Sequence, residues 1–185
     1  MALTESSMLP LGTVAADFVL PDPRGTESLS LRAARGERGT LICFICNHCP
    51  FVKHIEQVLC RLAPEWIQRG VAVIAISAND VQAFPEDAPE RMAAKDYPFP
   101  YLYDQSQQVA KAYHAACTPD FYLFDATLAL VYRGQFDDSR PGNELPVSGE
   151  SLSAAVNGLL QSQPPLAEQK PSIGCNIKWK TTDPQ

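Results

Sequence analysis

No dense run of Lys or Arg occurs in this chain of 185 residues, whose net charge is −6. That absence excludes nucleic acid and anionic membrane as expected partners. Nowhere do about 18 apolar residues run together, so no membrane-crossing helix is expected. The first segment, Met1 to Pro10, carries Glu5 but no Lys or Arg, and it lacks an apolar stretch of signal-peptide length. The expectation is a cytoplasmic protein whose thiols the cell keeps reduced. There is no internal repeat and no low-complexity tract. Six cysteines in 185 residues are too sparse for a secreted disulfide scaffold. One C-x-x-C is present, but a second C-x-x-C or an H-x-x-x-H to complete a structural zinc site is missing.

The one C-x-x-C is Cys46-Asn47-His48-Cys49-Pro50. It follows an almost wholly apolar run, Thr40 to Cys46, of the kind that forms a strand covered on both faces. Val52, Ile55, Leu59, Leu62 and Trp66 then recur at helical spacing, with charged and polar residues mostly off that stripe. Pro50 suits the first turn, Pro64 is expected to kink the helix or end its first part, and Gly70 closes it. Val71 to Ser77 reads as a second buried strand, which completes a βαβ unit with parallel pairing.

Further on, helices are expected over Asp87 to Lys95, Ser106 to His114 and Glu150 to Leu160. Short strands are expected at Asp17 to Leu20 and Tyr101 to Tyr103. Asp120 to Phe124 and Leu128 to Arg133 form an antiparallel hairpin by pattern. The expected fold is α/β, a mixed sheet flanked by helices. Residues 1–163 make one domain, and 164–185 a polar, Pro-containing tail docked on it.

Two cysteines at a strand-to-helix junction suit redox chemistry. Unpaired N–H groups and the helix dipole favour a thiolate there. Cys49 falls in phase with the buried stripe, whereas Cys46 lies a turn further out. The expectation is therefore an exposed, attacking Cys46 and a shielded, resolving Cys49. A protonated His48 between them would favour the thiolate and make the disulfide more oxidising. Zinc remains the competing reading of a C-x-x-C, and the βαβ context argues for redox.

Cys43 and Cys60 read as core residues. His54 and His114 read as surface or satisfied residues. Thr118-Pro119 precedes a strand, and a proline there is a candidate for a cis bond, which would turn the backbone of Thr118 toward an extended peptide or a thiol ligand. Cys117 lies beside that bond, as a packed residue or a third redox thiol. Cys175 sits in a polar tail, an unusual place for a packed cysteine, and exchange with the active-site pair is one reading of it.

The chain resembles the thioredoxin-like superfamily, and within it the peroxiredoxin-like branch of the alkyl hydroperoxide reductase/thiol-specific antioxidant group. The resemblance rests on Leu11 to Asp22, on Phe44 to His54 with its Asn-His-Cys-Pro run, on Cys117 to Asp125, and on Gly174 to Lys180, which is similar to the tail of an uncharacterised peroxiredoxin-like subgroup. It implies a thioredoxin-like fold with an N-terminal β extension. It also implies thiol–disulfide chemistry at Cys46 and Cys49 opposite a cis Pro119, with no cofactor and no bound metal.

Expected partners are a thiol or disulfide substrate, protein or small molecule, and a reductant protein; a dimer is allowed. The branch's peroxide-reducing pattern, Pro-x-x-x-Thr/Ser-x-x-Cys, is not met. Aligned on Cys49 its places hold Ile42 and Cys46, and aligned on Cys46 they hold Gly39 and Cys43. Arg133 is the candidate for the family's thiolate-activating arginine. The readings kept beside the oxidoreductase are an antioxidant peroxidase and a non-enzymatic binder of Cu(I) or Zn through Cys46, His48, Cys49 and Cys117.

Overall fold

A computed structural model describes residues 3–25 and 27–181. The ends of the N-terminal and tail segments discussed above, residues 1–2 and 182–185, lie outside the described residues. In chain order the elements are β1 (Leu3–Glu5), β2 (Val19–Pro21), β3 (Ser28–Ser30), α1 (Leu31–Ala34), β4 (Gly39–Phe44), α2 (Pro50–Gln68) and β5 (Val71–Ser77). A single 3₁₀ turn (Pro85–Asp87) follows, then α3 (Pro89–Ala93), β6 (Tyr101–Tyr103), α4 (Gln108–Ala112), β7 (Cys117–Thr118), β8 (Asp120–Asp125), β9 (Leu130–Gly134), α5 (Glu150–Leu160) and β10 (Ile173–Asn176).

The main sheet has five strands in the order β6-β5-β4-β8-β9. β4 pairs in parallel with β5, and β5 with β6; β8 runs antiparallel to β4 and to β9. This is the mixed sheet that the pattern called for. Strand β4 is buried on both faces because alternate residues serve two cores. Leu41, Cys43 and Ile45 pack against α2, α3 and α5, while Ile42 and Phe44 pack with Tyr113, Tyr122 and Leu31 on the other side. Burying a side chain such as Leu41 or Ile42 completely contributes roughly 1.5–3 kcal/mol.

The apolar face of α2 is Val52, Ile55, Leu59, Ala63 and Trp66. Ala63 takes the place expected of Leu62. The helix does not end at Pro64 but continues to Gln68. Pro64 removes one backbone hydrogen bond, and the burial of Ala63 and Trp66 on either side holds the last turn against the sheet. The helix expected over Asp87 to Lys95 is instead a 3₁₀ turn followed by the short α3, because Pro85 and Pro89 each restart the chain.

The tail carries a strand that the pattern does not show. β10 lies between β1 and β7 in a small antiparallel sheet, with Cys175 opposite both Leu3 and Thr118. Along its length the tail is tied down by backbone bonds from Ser6 to Ser172, from Ile177 to Ala116 and from Asp80 to Lys178. Among the described residues, no helix is long and apolar enough to cross a membrane.

Candidate active site

β4 and β5 end side by side, and the loops beyond their carboxyl ends build the site. Cys46 stands two residues past β4, and Cys49 is the N-cap of α2. Sequence alone put Cys46 at the surface, and the structure overturns this. Cys46 is 1% exposed and Cys49 0%. The cause is the cover: β10 lies along β7 over the pair, and the Pro85–Asp87 turn closes the other side. Of the loop, Pro50 is exposed and His48 half-buried.

Asp87, expected at the start of a helix, organises this loop. Its buried carboxylate takes the Asn47 N–H at 2.7 Å and the His48 N–H at 3.3 Å on one oxygen. The other oxygen takes the Asn79 amide at 2.8 Å and faces His48 Nδ1 at 2.6 Å. Hydrogen bonds to a charged group contribute roughly 1.5–3 kcal/mol each, so four on one buried carboxylate fix the loop firmly. Asn47 is further held by the Glu86 carbonyl and the Tyr101 hydroxyl. The imidazole of His48 stacks on Phe84 with ring centres 5.2 Å apart. One signal for Asn79 and Asp87 was available: both follow the carboxyl end of a parallel strand.

This pairing changes the role expected of His48. Its Nδ1 is 3.9 Å from Cys46 Sγ, but any positive charge it carries is matched by Asp87. Cys46 is pushed up, first by its hydrogen bond with Cys49, then by burial and by the Asp87 charge; the Thr118 hydroxyl, 3.4 Å away, opposes this. Cys49 goes the other way, to about 4. The Cys46 thiol is the largest cause; burial opposes it, and the Cys175 thiol, Thr118 and the Val52 N–H add smaller contributions in the same direction as Cys46. Cys49 makes no side-chain capping bond. While protonated it donates to the Thr118 carbonyl at 3.1 Å. The two thiols are coupled through their shared hydrogen bond, and Cys49, at the positive end of α2, is the one drawn down.

The Thr118–Pro119 peptide bond is cis. Thr118 reaches both sulfurs, but its backbone is not open to an outside chain, because β10 pairs with it. Cys117, its neighbour in the strand, directs Sγ to the Pro119 carbonyl at 3.6 Å, and burial pushes its thiol up. Cys43 is fully buried in β4 and Cys60 is half-buried on α2. His54 pairs with Ser139. Arg133 is committed to the Leu9 carbonyl and to Gln169 rather than to a thiolate.

The residues named for a soft metal are not gathered as one set. Among the described residues, the group whose ligand atoms lie within 4.8 Å of one another is Cys46, His48 and Asp87. There His48 Nδ1 and Asp87 stand 2.6 Å apart. Two nitrogen or oxygen ligands of a tetrahedral zinc stand about 3.3 Å apart, given bonds of about 2.0 Å. The contact is therefore a direct hydrogen bond rather than two corners of a metal cage.

A C-x-x-C at a strand-to-helix junction, facing a cis-proline across a mixed sheet, defines a dithiol protein of the thioredoxin-like class. The chain belongs to the AhpC/TSA family, whose pattern it matches over residues 11–133. It is similar to an uncharacterized conserved protein from Geobacillus kaustophilus, with 52% identity and a TM-score of 0.96 over 99% of each chain. A thiol-disulfide oxidoreductase, ResA, from the same species is 29% identical over 66% of this chain and 67% of its own. The thioredoxin domain of a thiol-disulfide oxidoreductase from Bacteroides vulgatus shares the fold, with 19% identity and a TM-score of 0.56 over 80% of this chain and 99% of that one.

Proposed function

We propose that this chain is a thiol–disulfide oxidoreductase that works through a Cys46/Cys49 dithiol–disulfide pair. The observation that carries the reading is geometric: the Cys46/Cys49 pair at the N-terminus of α2 meets the cis Thr118–Pro119 bond, and Thr118 reaches both sulfurs. A disulfide breaks fastest toward its more acidic thiol. With Cys49 as the better leaving group, an incoming substrate thiolate attacks Cys46. The Cys46–Cys49 bond breaks, a mixed disulfide forms on Cys46, and Cys49 departs with the electron pair as a thiolate. A second substrate thiolate then forms the substrate disulfide and expels Cys46, which takes up a proton. The substrate loses two electrons and the pair gains them. In reverse, Cys46 attacks a substrate disulfide and Cys49 resolves the mixed species. Stabilising the Cys49 thiolate stabilises the dithiol form and makes the disulfide oxidising.

His48 and Asp87 act as positioning residues that hold the loop, and the Thr118 hydroxyl supports charge on either sulfur. Thr118–Pro119 would meet a substrate chain only once β10 has moved aside. Partners are a protein or small molecule bearing thiols or a disulfide, and a protein that resets the pair. A cytoplasmic setting fits the same reading, and the chemistry requires no second copy of the chain. The likeness to ResA supports the class of reaction.

The reading is tested by equilibrating the protein in glutathione buffers, blocking thiols and mapping disulfides by mass spectrometry. A Cys46–Cys49 disulfide that responds to the buffer is expected, with exchange activity abolished in Cys46→Ser and Cys49→Ser. If the two cysteines stay alkylated at every buffer ratio, the proposal fails.

An antioxidant peroxidase has one observation in its favour, the Thr118 hydroxyl beside Cys46. Against it, Arg133 is engaged with Leu9 and Gln169. We rank it second, with a trapped sulfenic acid on Cys46 after peroxide treatment as its signature.

A further inference from the structure

We propose that Cys175 is a third redox-active thiol, which takes Cys49 over from Cys46 by disulfide exchange within the chain. The inference deepens the dithiol reading and rests on it. Its basis is geometric. Cys175 Sγ lies 3.0 Å from Cys49 Sγ. That is about 1 Å longer than a disulfide bond. A small buried cysteine packed for volume alone has no need to aim its sulfur at the sulfur of a redox pair.

The backbone holds that aim. Cys175 is in register with Thr118, the residue whose hydroxyl and carbonyl face the pair. Gly174 allows β10 to approach so closely, because a Cβ there would stand 2.0 Å from the Thr118 carbonyl oxygen and 2.7 Å from its carbon. On the other side β1 pairs with β10, with Leu3 opposite Cys175. The strand is thus clamped on both edges with its cysteine against the helix N-cap. β10 also fills the backbone edge of Thr118 that an extended substrate would use.

The exchange balances without an outside oxidant. In the Cys46–Cys49 disulfide form, Cys175 gives up its proton and its thiolate attacks Cys49 Sγ. A Cys49–Cys175 bond forms and the Cys46–Cys49 bond breaks. Because Cys175 lies against Cys49, it is Cys46, the less acidic sulfur, that departs with the electron pair and takes up a proton. The protein as a whole stays oxidised by two electrons. What changes is that β10 is now fastened to α2 and Cys46 is a thiol again, beside Thr118 and His48. In reverse, a Cys46 thiolate attacks Cys49 and releases Cys175.

The test uses the full chain, oxidised in a graded series of oxidised and reduced glutathione, then alkylated under acid quench and mapped by mass spectrometry. Cys43, Cys60 and Cys117 serve as internal controls that stay alkylated. In the wild type we expect two disulfides, Cys46–Cys49 and Cys49–Cys175. Cys175→Ser should leave only the first, and Cys46→Ser only the second. A wild type that forms Cys46–Cys49 while Cys175 remains fully alkylated at every ratio overturns the proposal. A Cys46→Ser protein that forms no Cys49–Cys175 bond overturns it as well. Failure of the underlying dithiol reading looks different: Cys46–Cys49 would then be missing from both the wild type and Cys175→Ser, whose fold the small Cys-to-Ser change is expected to leave intact.

Discussion

At the scale of single residues, the site turns on which sulfur carries the charge. Cys49 is drawn down to about 4 and Cys46 is pushed up, chiefly because of the hydrogen bond they share. Between about pH 4 and pH 9 the reduced site therefore holds one proton where two free thiols hold two. A two-electron couple that takes up a single proton changes by about 30 mV per pH unit, against about 59 mV for two protons. The midpoint potential of the pair, measured against glutathione from pH 5 to 8, should follow the shallower slope. A slope near 59 mV would show that Cys49 keeps its proton. The same acidity sets the sign of a stability change. The folded reduced protein has lost a proton that the unfolded chain still holds, so its stability rises as pH increases from about 4 toward 9 and falls on acidification. Asp87 belongs to this scale too. Its place beyond the carboxyl end of a parallel strand was the one signal, but nothing in Phe84-Pro85-Glu86-Asp87 itself marks a carboxylate that ends beneath a loop forty residues upstream. The cysteines were legible, because their spacing and the start of α2 are local. Their burial was not, because the cover comes from a strand more than a hundred residues away.

At the scale of elements, β10 and α2 meet at the site, and the contact depends on one missing side chain. Gly174→Val would drive a side chain into the Thr118 carbonyl. Overpacking of this kind costs roughly 1–3 kcal/mol. Here the cost falls on the β7–β10 contact, so the variant should react faster with iodoacetamide at Cys46 and Cys49 under native conditions. Each 1.4 kcal/mol lost from the closed arrangement corresponds to about tenfold in rate. An unchanged rate in a folded Gly174→Val protein would mean that β10 is not the cover. The helix itself shows how far periodicity reaches. The stripe from Val52 to Trp66 announced α2, but Pro64 suggested an earlier stop or a kink. Burial of Ala63 and Trp66 outweighs that local preference, which is a tertiary effect and so not visible in spacing.

At the scale of the whole molecule, the five-stranded sheet is expected to open last and the tail before it. β4 lies between two cores from Leu41 to Phe44, whereas the segment from Cys175 to Lys178 gives only Cys175 and Ile177 to those cores and is otherwise tied by backbone and polar bonds. Amide hydrogen exchange should report opening of Cys175 to Lys178 at a lower free energy than exchange from Leu41 to Phe44; equal protection would argue against a movable tail. The central sheet was readable because its strands are long, apolar and separated by clear turns. β1, β7 and β10 were not, because they are two to four residues long and owe their form to one another. The bridge that joins tail to loop was equally hidden: Asn79 receives the Lys178 N–H through one side-chain atom and donates to Asp87 through another, each bond 2.8 Å. Because β10 is part of the same chain, any visiting polypeptide competes with a tethered rival whose effective concentration is in the millimolar range. A weak visitor is turned away by mass action alone, so a polypeptide substrate of the proposed oxidoreductase would have to displace β10 as well as match the pair in redox potential.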